Sequence, residues 1–281
     1  MLNHTSTKKK EYEERAIVFL DFLGFRNIVN KTVNSKSEFN QLLNTLNKIV
    51  NFVTFKEEAS SSVHEKEIEE LAEFKDTDYE DNYYKYIENN SLEDLVHSSP
   101  SDDRRVTVFS DSIIISYPIN YMYDLLLETL SISGVILSSG YLVRGGITYG
   151  KLYHDERIVF GPAMNKAYEL ESKVADVPRI IIDTDYLNTA DAHSNEGKFL
   201  IQSLPFIRTD ASLDDYQFID FTLPVPKNSF PELINRIETD LDEVNLRIPS
   251  LEADELKTAK NIQRKLNWVQ KLLKEAKHPD N

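Results

Sequence analysis

Short runs of apolar residues, each about the length of one strand, recur along the chain and predict a sheet. Residues 16–20 are continuously apolar, which is typical of a central strand that is buried on both faces. β-Branched runs at 105–108 and 113–117 flank the tripeptide 110–112, so this segment is predicted to be a hairpin with Asp111 at its tip. Further strands are predicted at residues 140–150, 157–160, 179–182 and within 198–222.

Apolar residues at intervals of three and four predict helices between and after these strands. The helical spacing covers residues 39–53, 120–138, 165–174 and 230 onward. In the last helix, Leu266, Val269 and Leu272 form one apolar face around Trp268. That face could be a core brace, a dimer contact or a partner-binding surface, and periodicity does not separate these. The mixture of elements predicts an α+β fold, or an α/β fold with antiparallel hairpins.

Changes in composition divide the chain into predicted parts. Residues 1–14 are polar and are predicted to be a leader, and residues 15–228 form the predicted main domain. Residues 56–103 are rich in Glu, Asp and Ser, and they are predicted to be an acidic insertion, part helix and part loop, with disorder at 98–103. Residues 229–281 are predicted to be a C-terminal helical extension.

Charge and composition exclude several classes of function. Acidic residues outnumber basic ones by 47 to 32, which gives a formal net charge of −15. Such a surface repels phosphate backbones, so no nucleic-acid partner is expected. The chain has no cysteine, which excludes disulfides and thiolate metal sites and suits a reducing compartment. No apolar run has the length of a membrane span or signal peptide, so no membrane association is expected and a cytoplasmic location is predicted.

Two aspartates at the ends of predicted strands are the first candidates for chemistry. Asp21 ends the first apolar run, and Asp111 lies at the tip of the predicted hairpin. If the two carboxylates converge, they can hold Mg²⁺ or Mn²⁺ against a triphosphate, because these ions prefer oxygen ligands. An aspartate at the end of a strand, taken alone, is more often a turn or cap residue. The six histidines show no paired spacing, and His154 is predicted to lie in an exposed turn.

Three neighbouring motifs could contact the anionic part of a ligand. Gly24 permits a sharp turn after Asp21, and the amides of Gly24, Phe25 and Arg26 could then form a nest for phosphate oxygens. Arg144 stands in an apolar strand before two glycines, where its burial is costly unless it meets a phosphate or an acidic side chain. Asn165 lies one turn into a predicted helix that begins with a Gly-Pro pair. Its side chain could contact a ligand, or it could be an ordinary polar residue on the helix surface.

In combination, these segments resemble the class III nucleotidyl cyclases over about residues 16–185. The matching motifs are Asp21-Phe22-Leu23-Gly24-Phe25, Asp111 in its hairpin, Arg144-Gly145-Gly146-Ile147-Thr148-Tyr149-Gly150, and Gly161 followed by Asn165. The resemblance implies an α/β sandwich with a mixed, largely antiparallel sheet flanked by helices. It implies that Asp21, Asp111 and the backbone carbonyl of Phe22 bind two divalent cations, Mg²⁺ or Mn²⁺. It also implies a homodimer with its sites at the interface, where Arg144 contacts the triphosphate and Asn165 arrives from the partner subunit.

Two positions depart from the pattern of the purine cyclases in this family. Thr107 stands where those enzymes have a lysine that reads the base, so Thr107 is the implied base contact. Glu169 stands where they have an arginine that neutralises the transferring phosphate. A carboxylate cannot replace that cation, so the metals, Arg144 or another basic residue must do so, with Lys173 as one candidate.

These departures, together with Arg-Gly-Gly-Ile and Val-Phe-Gly-Pro-Ala, look like the bacterial pyrimidine cyclases of the Pycsar anti-phage systems. That resemblance implies conversion of UTP or CTP into cyclic UMP or cyclic CMP, with UTP favoured, and a product that activates a separate effector protein. Two alternatives stay open. The chain could be a degenerate cyclase-fold sensor that binds a nucleotide without catalysis, or it could be an adenylate cyclase.

Overall fold

The computed structural model describes residues 11–54, 103–155, 157–193, 204 and 206–276, which build one eight-stranded sheet and its flanking helices. The strands are β1 Glu13–Phe22, β2 Arg105–Phe109, β3 Ser112–Pro118, β4 Val143–His154, β5 Val159–Phe160, β6 Ile180–Ile182, β7 Ile207–Thr209 and β8 Gln217–Ile219. The helices are α1 Phe25–Asn34, α2 Lys36–Thr54, α3 Met122–Ser138, α4 Pro162–Glu169, α5 Thr184–His193, α6 Phe230–Arg247 and α7 Ala253–Glu275. A π-helical turn, Leu170–Val174, continues α4.

The sheet is mixed and largely antiparallel. Its order is β2-β3-β1-β4-β6-β8-β7, with β5 paired to β4 off this path. β1 is central and pairs antiparallel with β3 on one side and with β4 on the other. The pairing of β4 with β6 is parallel. The prediction of an α+β fold with a mixed, largely antiparallel sheet flanked by helices is therefore confirmed.

The two faces of the sheet have different coverings because successive side chains of a strand point to opposite sides. Ala16, Val18 and Leu20 lie on the face that we call the core face, and they pack in the main hydrophobic cluster with residues of α2 and α3. Ile17 and Phe19 lie on the opposite face, which we call the α4 face, and they pack against apolar residues of α4. Both faces of β1 are thus buried, as the continuous apolar run predicts.

Helix α4 approaches the sheet closely at a glycine. The backbone carbonyl of Ala167 lies over Gly146 of β4, and a side chain at Gly146 would collide with it. Ala163 packs over Gly150 further along the same strand. The glycines of β4 therefore let α4 lie flat on the sheet, and they leave the π-helical turn above the beginning of β4.

The C-terminal helices form a second core with the sheet. Phe218 of β8 packs in one cluster with Leu233 of α6 and with Val269 and Leu272 of α7. Trp268 contacts Phe218 edge to face at 5.7 Å between ring centres, within the usual range for such pairs, and it donates an Nε1 hydrogen bond to Asp210 at 2.9 Å. Of the three interpretations of this apolar face, the core brace is the one that the fold displays.

Several boundaries and elements go beyond the sequence pattern. β1 begins at Glu13, two residues inside the predicted leader, because Glu13 and Glu14 pair with Leu152 and Lys151 of β4. α1 is not among the predicted helices, although Phe25 and Ile28 lie on one side of it and pack, partly buried, against the main hydrophobic cluster. The pattern also does not predict α5 after β6. The predicted acidic insertion at 56–103 lies outside the described residues except for Asp103.

Truncation of one side chain on the core-facing side of α7 tests the brace. Leu272 is 4% exposed, and we expect Leu272→Ala to lower the free energy of unfolding by about 2–5 kcal/mol through lost burial and a residual cavity. The matched control is Leu246→Ala, because Leu246 of α6 is 81% exposed and its loss should change stability by about 0.5 kcal/mol at most. Urea unfolding measures both, and equal effects would contradict the assignment of α7 to the core.

Candidate functional site

Asp21 lies at the end of the central strand, where three strands of the sheet come together. It is opposite Ser112 in the pairing of β1 with β3 and opposite Arg144 in the pairing with β4. Its alternation with Ile17 and Phe19 places its side chain on the α4 face. The carboxyl group is 24% exposed, so a ligand can reach it from that face.

Asp111 lies beside Asp21 because a two-residue turn joins β2 to β3. Phe109 pairs with Ser112 across this turn, and Ser110 has a φ of 55°, which is uncommon for a residue other than glycine. The backbone carbonyl of Asp111 accepts a hydrogen bond of 2.9 Å from the backbone N–H of Phe22. The predicted hairpin with Asp111 at its tip is present, and this bond ties the tip to the strand of Asp21.

The two carboxylates are close enough to influence one another. Burial raises the pKa of Asp21, and the negative charge of Asp111 raises this pKa further. The positive charge of Arg144 opposes both effects without cancelling them. The ionised form of Asp21 is therefore held at an electrostatic cost, which a bound cation would relieve.

Arg144 is held between two acids. Its Nη2 atom lies 3.8 Å from the carboxylate of Asp21 and makes a shorter ion pair with Glu171 in the π-helical turn. Arg144 Nε is buried without a hydrogen-bond acceptor among the described residues. The reading of Arg144 as the partner of an acidic side chain is therefore supported, and its contact with a phosphate stays a prediction.

Glu171 is a site residue that the motif analysis misses. Its side chain is 3% exposed, and burial raises its pKa, while the charge of Arg144 lowers it. A signal for it exists in the sequence. Ala163, Ala167 and Glu171 are spaced by four, so they share the helix face that packs on the sheet. A glutamate on a buried helix face predicts a cationic partner nearby.

The residues after Asp21 provide backbone donors. Gly24 has φ 72° and ψ 18°, the left-handed conformation that glycine adopts without strain. Its carbonyl accepts hydrogen bonds from Asn27 and Ile28, so α1 begins at Phe25. The first amides of a helix have no partner within the helix, so those of Phe25 and Arg26 are available to an anion.

Asn165 is not brought to Asp21 of its own chain. It is exposed on α4, level with the segment of β4 between Gly146 and Gly150, whereas Asp21 is opposite Arg144. About four residues of strand, roughly 13 Å, separate these levels. Asn165 is thus available to another molecule and remote from the carboxylate pair of its own chain.

Position 169, where the purine cyclases have an arginine, provides no cation in this chain. Glu169 is exposed and pairs with Lys173 at 2.9 Å, so the two side chains neutralise each other on the outer face of the helix. Lys265 of α7 is a basic residue that the sequence analysis misses. Burial lowers its pKa, and the positive charge of Arg144 lowers it further, whereas the charge of Glu171 raises it. Helix α7 therefore brings a second cation towards Arg144.

Thr107 lies on β2, four residues before Asp111. By strand alternation with Phe109 and Arg105 it faces the α4 side, where its Oγ1 lies 3.1 Å from Nε2 of His154. The prediction that His154 lies on the surface is wrong, because its side chain is turned into the sheet and is 1% exposed. Burial, followed by the charges of Arg15 and Arg105, lowers the pKa of His154 to about 4.

The donor set fits a substrate-assisted site for hard divalent cations. No cluster of three or more His, Cys, Asp or Glu side chains that could hold a metal occurs among the described residues. The pair Asp21 and Asp111, with the adjacent carbonyl of Phe22, offers oxygen ligands only. Mg²⁺ is commonly held by one or two carboxylates, with phosphate oxygens and water completing its octahedral shell. Within the described part of the chain, no helix is long and apolar enough to span a bilayer.

Comparisons with known proteins leave the family open. The chain matches no protein-family model and no curated protein. Among solved structures it is similar to the adenylyl cyclase CyaB from P. aeruginosa, with 10% identity and a TM-score of 0.40, over 75% of this chain and 94% of that one. It is also similar to a bacterial light-regulated adenylyl cyclase, with 11% identity and a TM-score of 0.42, over 92% and 59%. With TM-scores below 0.5, these likenesses carry no argument about the site.

Neutralising Asp21 tests the electrostatic cost of the carboxylate pair. Because the pKa of Asp21 is raised in the folded state, its stabilising contribution is present below the ordinary value of 3.8 and is lost as pH rises through the raised value. We expect metal-free Asp21→Asn to be at least as stable as wild type at pH 7, by up to about 1 kcal/mol in urea unfolding.

The control for this measurement is Asp214→Asn. The hydrogen bonds from Arg179 lower the pKa of Asp214, so its stabilising contribution is present above 3.8 and is lost as pH falls. Asp214→Asn should therefore lower stability at pH 7. If Asp21→Asn destabilised the protein in the same way, the carboxylate of Asp21 would be a structural partner of Arg144 instead.

Proposed function

We propose that this protein is a metal-dependent nucleotidyl cyclase that converts a pyrimidine nucleoside triphosphate, UTP or CTP, into its 3′,5′-cyclic monophosphate and pyrophosphate. The observation that carries the proposal is the convergence of Asp21 and Asp111 on one end of the sheet, beside Arg144 and the start of α1. Separate sequence motifs thus meet at one place whose charge favours cations and phosphates together.

In this proposal, Asp21, Asp111 and the carbonyl of Phe22 hold two divalent cations, Mg²⁺ or Mn²⁺. When bound, such ions lower the pKa of an attacking hydroxyl and neutralise charge on the departing phosphates. The raised pKa of Asp21 supports this role, because a carboxylate that is costly to ionise alone gains most from a nearby cation.

The chain's own groups orient the triphosphate. The amides of Gly24, Phe25 and Arg26 bind terminal phosphate oxygens at the positive end of α1. Arg144, whose side chain is 20% exposed, steadies the triphosphate through guanidinium N–H groups that its ion pair with Glu171 does not use. Glu171 fixes the guanidinium in place, so little side-chain freedom is lost when the phosphate binds.

The reaction forms one bond and breaks one. The ribose 3′-oxygen bonds to the α-phosphorus, its proton passes to water, and the bond from the α-phosphorus to the bridging oxygen breaks with pyrophosphate as the leaving group. Positioning and charge neutralisation provide most of the rate in such phosphoryl chemistry.

A homodimer completes the proposed site. Asn165 is exposed and lies about 13 Å along β4 from Asp21 of its own chain, so a partner subunit's copy is the one that orients the ribose or phosphate. Phe109 and Tyr168 are 77% and 52% exposed, and such exposed aromatic residues suit an interface. By resemblance to the Pycsar cyclases, the product would activate a separate effector in cytoplasmic anti-phage defence.

Of two other functions, one has specific support and one is disfavoured. A sensor that binds nucleotide without catalysis is favoured by Glu169, whose charge is neutralised by Lys173 where the purine cyclases have an arginine. An adenylate cyclase is disfavoured by Thr107, since its hydroxyl stands where a lysine would read adenine. The product formed from each of the four nucleoside triphosphates separates these functions from a pyrimidine cyclase.

Incubation with each of ATP, GTP, CTP and UTP plus Mn²⁺, followed by detection of pyrophosphate and cyclic nucleotide, tests the proposal. We expect turnover of a pyrimidine nucleotide, and we expect Asp21→Ala or Asp111→Ala to reduce it by about a thousandfold or more. The control is Asp242→Ala, an exposed acid on α6. Binding without any product would favour the sensor, and preference for ATP would favour the adenylate cyclase. Full activity of a variant that carries both Asp21→Ala and Asp111→Ala would refute the metal site.

The position of Lys265 on α7 leads to a separate prediction. If Lys265 adds positive charge beside Arg144, Lys265→Gln should raise KM for the triphosphate or lower kcat by about tenfold. The matched control is Lys257→Gln, which removes an exposed lysine from the same helix. Steady-state kinetics with the preferred nucleotide measure both variants. Equal kinetics for the two would show that Lys265 does not act on the substrate.

A further inference from the structure

A chain of hydrogen bonds crosses the α4 face from β1 to β2. Arg15 Nε donates to Ser116 Oγ at 2.9 Å, and Ser116 Oγ lies 2.8 Å from Nδ1 of His154. On the other side of the imidazole, Nε2 lies 3.1 Å from Thr107 Oγ1. Three of these residues, Arg15, Ser116 and His154, are no more than 1% exposed, whereas Thr107 is partly exposed. We call this set the Arg15–Thr107 relay.

The direction of the relay follows from its first member. A guanidinium only donates, so Ser116 Oγ is an acceptor towards Arg15. The single proton of the Ser116 hydroxyl then has one other partner among the described residues, which is Nδ1 of His154. If Nδ1 were itself protonated, the Ser116 proton would be buried without an acceptor, which costs free energy. Ser116 therefore donates to His154.

The second half of the relay follows from the charge of the imidazole. His154 is buried between Arg15 and Arg105, and its pKa is lowered to about 4, so the ring is neutral at pH 7 and carries one proton. Since Nδ1 is an acceptor, that proton is on Nε2. Nε2–H then donates to Thr107 Oγ1, so the hydroxyl proton of Thr107 is not used within the relay.

Thr107, with its unused hydroxyl proton, lies on a part of the α4 face that helix α4 does not cover. Among the described residues, β2 is an edge strand of the sheet and its residues are all at least partly exposed, whereas α4 covers β1 and β4. Thr107 is four residues from Asp111, or about 13 Å along the strand. As for Asn165, this separation assigns Thr107, in the proposed homodimer, to the nucleotide whose phosphates are held by the carboxylates of the partner subunit.

We propose that the Arg15–Thr107 relay makes Thr107 a hydrogen-bond donor in the base site and thereby selects uracil over cytosine. This inference rests on the proposed function. At position 4, uracil presents a carbonyl acceptor like that of thymine, whereas cytosine presents an amino donor. The carbonyl uses the Thr107 proton. The amino group of cytosine can only donate to the remaining lone pair of Thr107 Oγ1. The hydroxyl proton of Thr107 is then left without an acceptor in a desolvated contact.

Nucleotide binding tests the selection without requiring catalysis. With Mn²⁺, 3′-deoxy-UTP and 3′-deoxy-CTP lack the attacking hydroxyl, and we expect wild type to bind the uridine analogue at least about tenfold more tightly. Thr107→Val should bring this ratio near one by weakening the uridine analogue, and Thr107→Ser should restore it. Thr239→Val, the same change at an exposed position of α6, should leave the ratio unchanged.

Ser116→Ala separates the relay from a direct contact, because Ser116 is buried and does not reach the ligand. Without the Ser116 hydroxyl, Nδ1 of His154 is no longer fixed as an acceptor, so the ring is not restricted to the Nε2–H tautomer. Thr107 can then also donate to Nε2, and the ratio should fall part of the way towards one. A loss of affinity for both analogues in equal measure would indicate a structural role only and would overturn the inference.

Nitrogen-15 NMR of the histidine side chain tests the direction of the relay. We expect His154, assigned by its loss in His154→Gln, to show a protonated Nε2 and an unprotonated Nδ1 at pH 7. The opposite tautomer, or tighter binding of the cytidine analogue, would overturn the inference. Failure of the proposed function can be distinguished from failure of this inference. If no cyclic product forms, the binding ratio and the tautomer can still be measured. If neither analogue binds, both the proposed function and this inference are refuted.

Discussion

The register of the central strand is the constraint on which the rest of the structure depends. β1 is buried on both faces, and its pairing places Asp21 opposite Ser112 on one side and opposite Arg144 on the other. A slip of one residue would move every side chain of β1 to the other face and would bury Asp21 among apolar groups. The apolar residues that fix this register therefore also fix the position of the carboxylate.

The site combines charges that are unfavourable in the absence of ligands. Asp21 repels Asp111, while Arg144 and Lys265 repel each other, and each pair lies partly out of water. Glu171 reduces the excess positive charge but sits buried itself. Such an arrangement lowers stability in the absence of ligands, and in the proposed function it strengthens the binding of cations and phosphates together, which is the usual relation between stability and function at polar sites.

The motifs of the sequence, with their local geometry, are predictable because each depends on neighbouring residues. The end of an apolar strand at Asp21, the turn that carries Asp111, and the left-handed glycine at Gly24 all follow from local backbone preferences. The position of His154 is not predictable in this way. A histidine at the end of a strand looks exposed until β2 and β3 cover it with the partners that keep it neutral.

By itself, the sequence determined the α+β class, the strand that carries Asp21, the hairpin that carries Asp111, and the helix that begins after Gly161. Short-range periodicity and turn chemistry are enough for these features. Only the tertiary structure decided that Glu171 holds Arg144, that α7 is a core brace that brings Lys265 towards the site, and that a buried relay ends at Thr107. Those contacts join residues far apart in the chain, and their strength depends on burial, which no local pattern specifies.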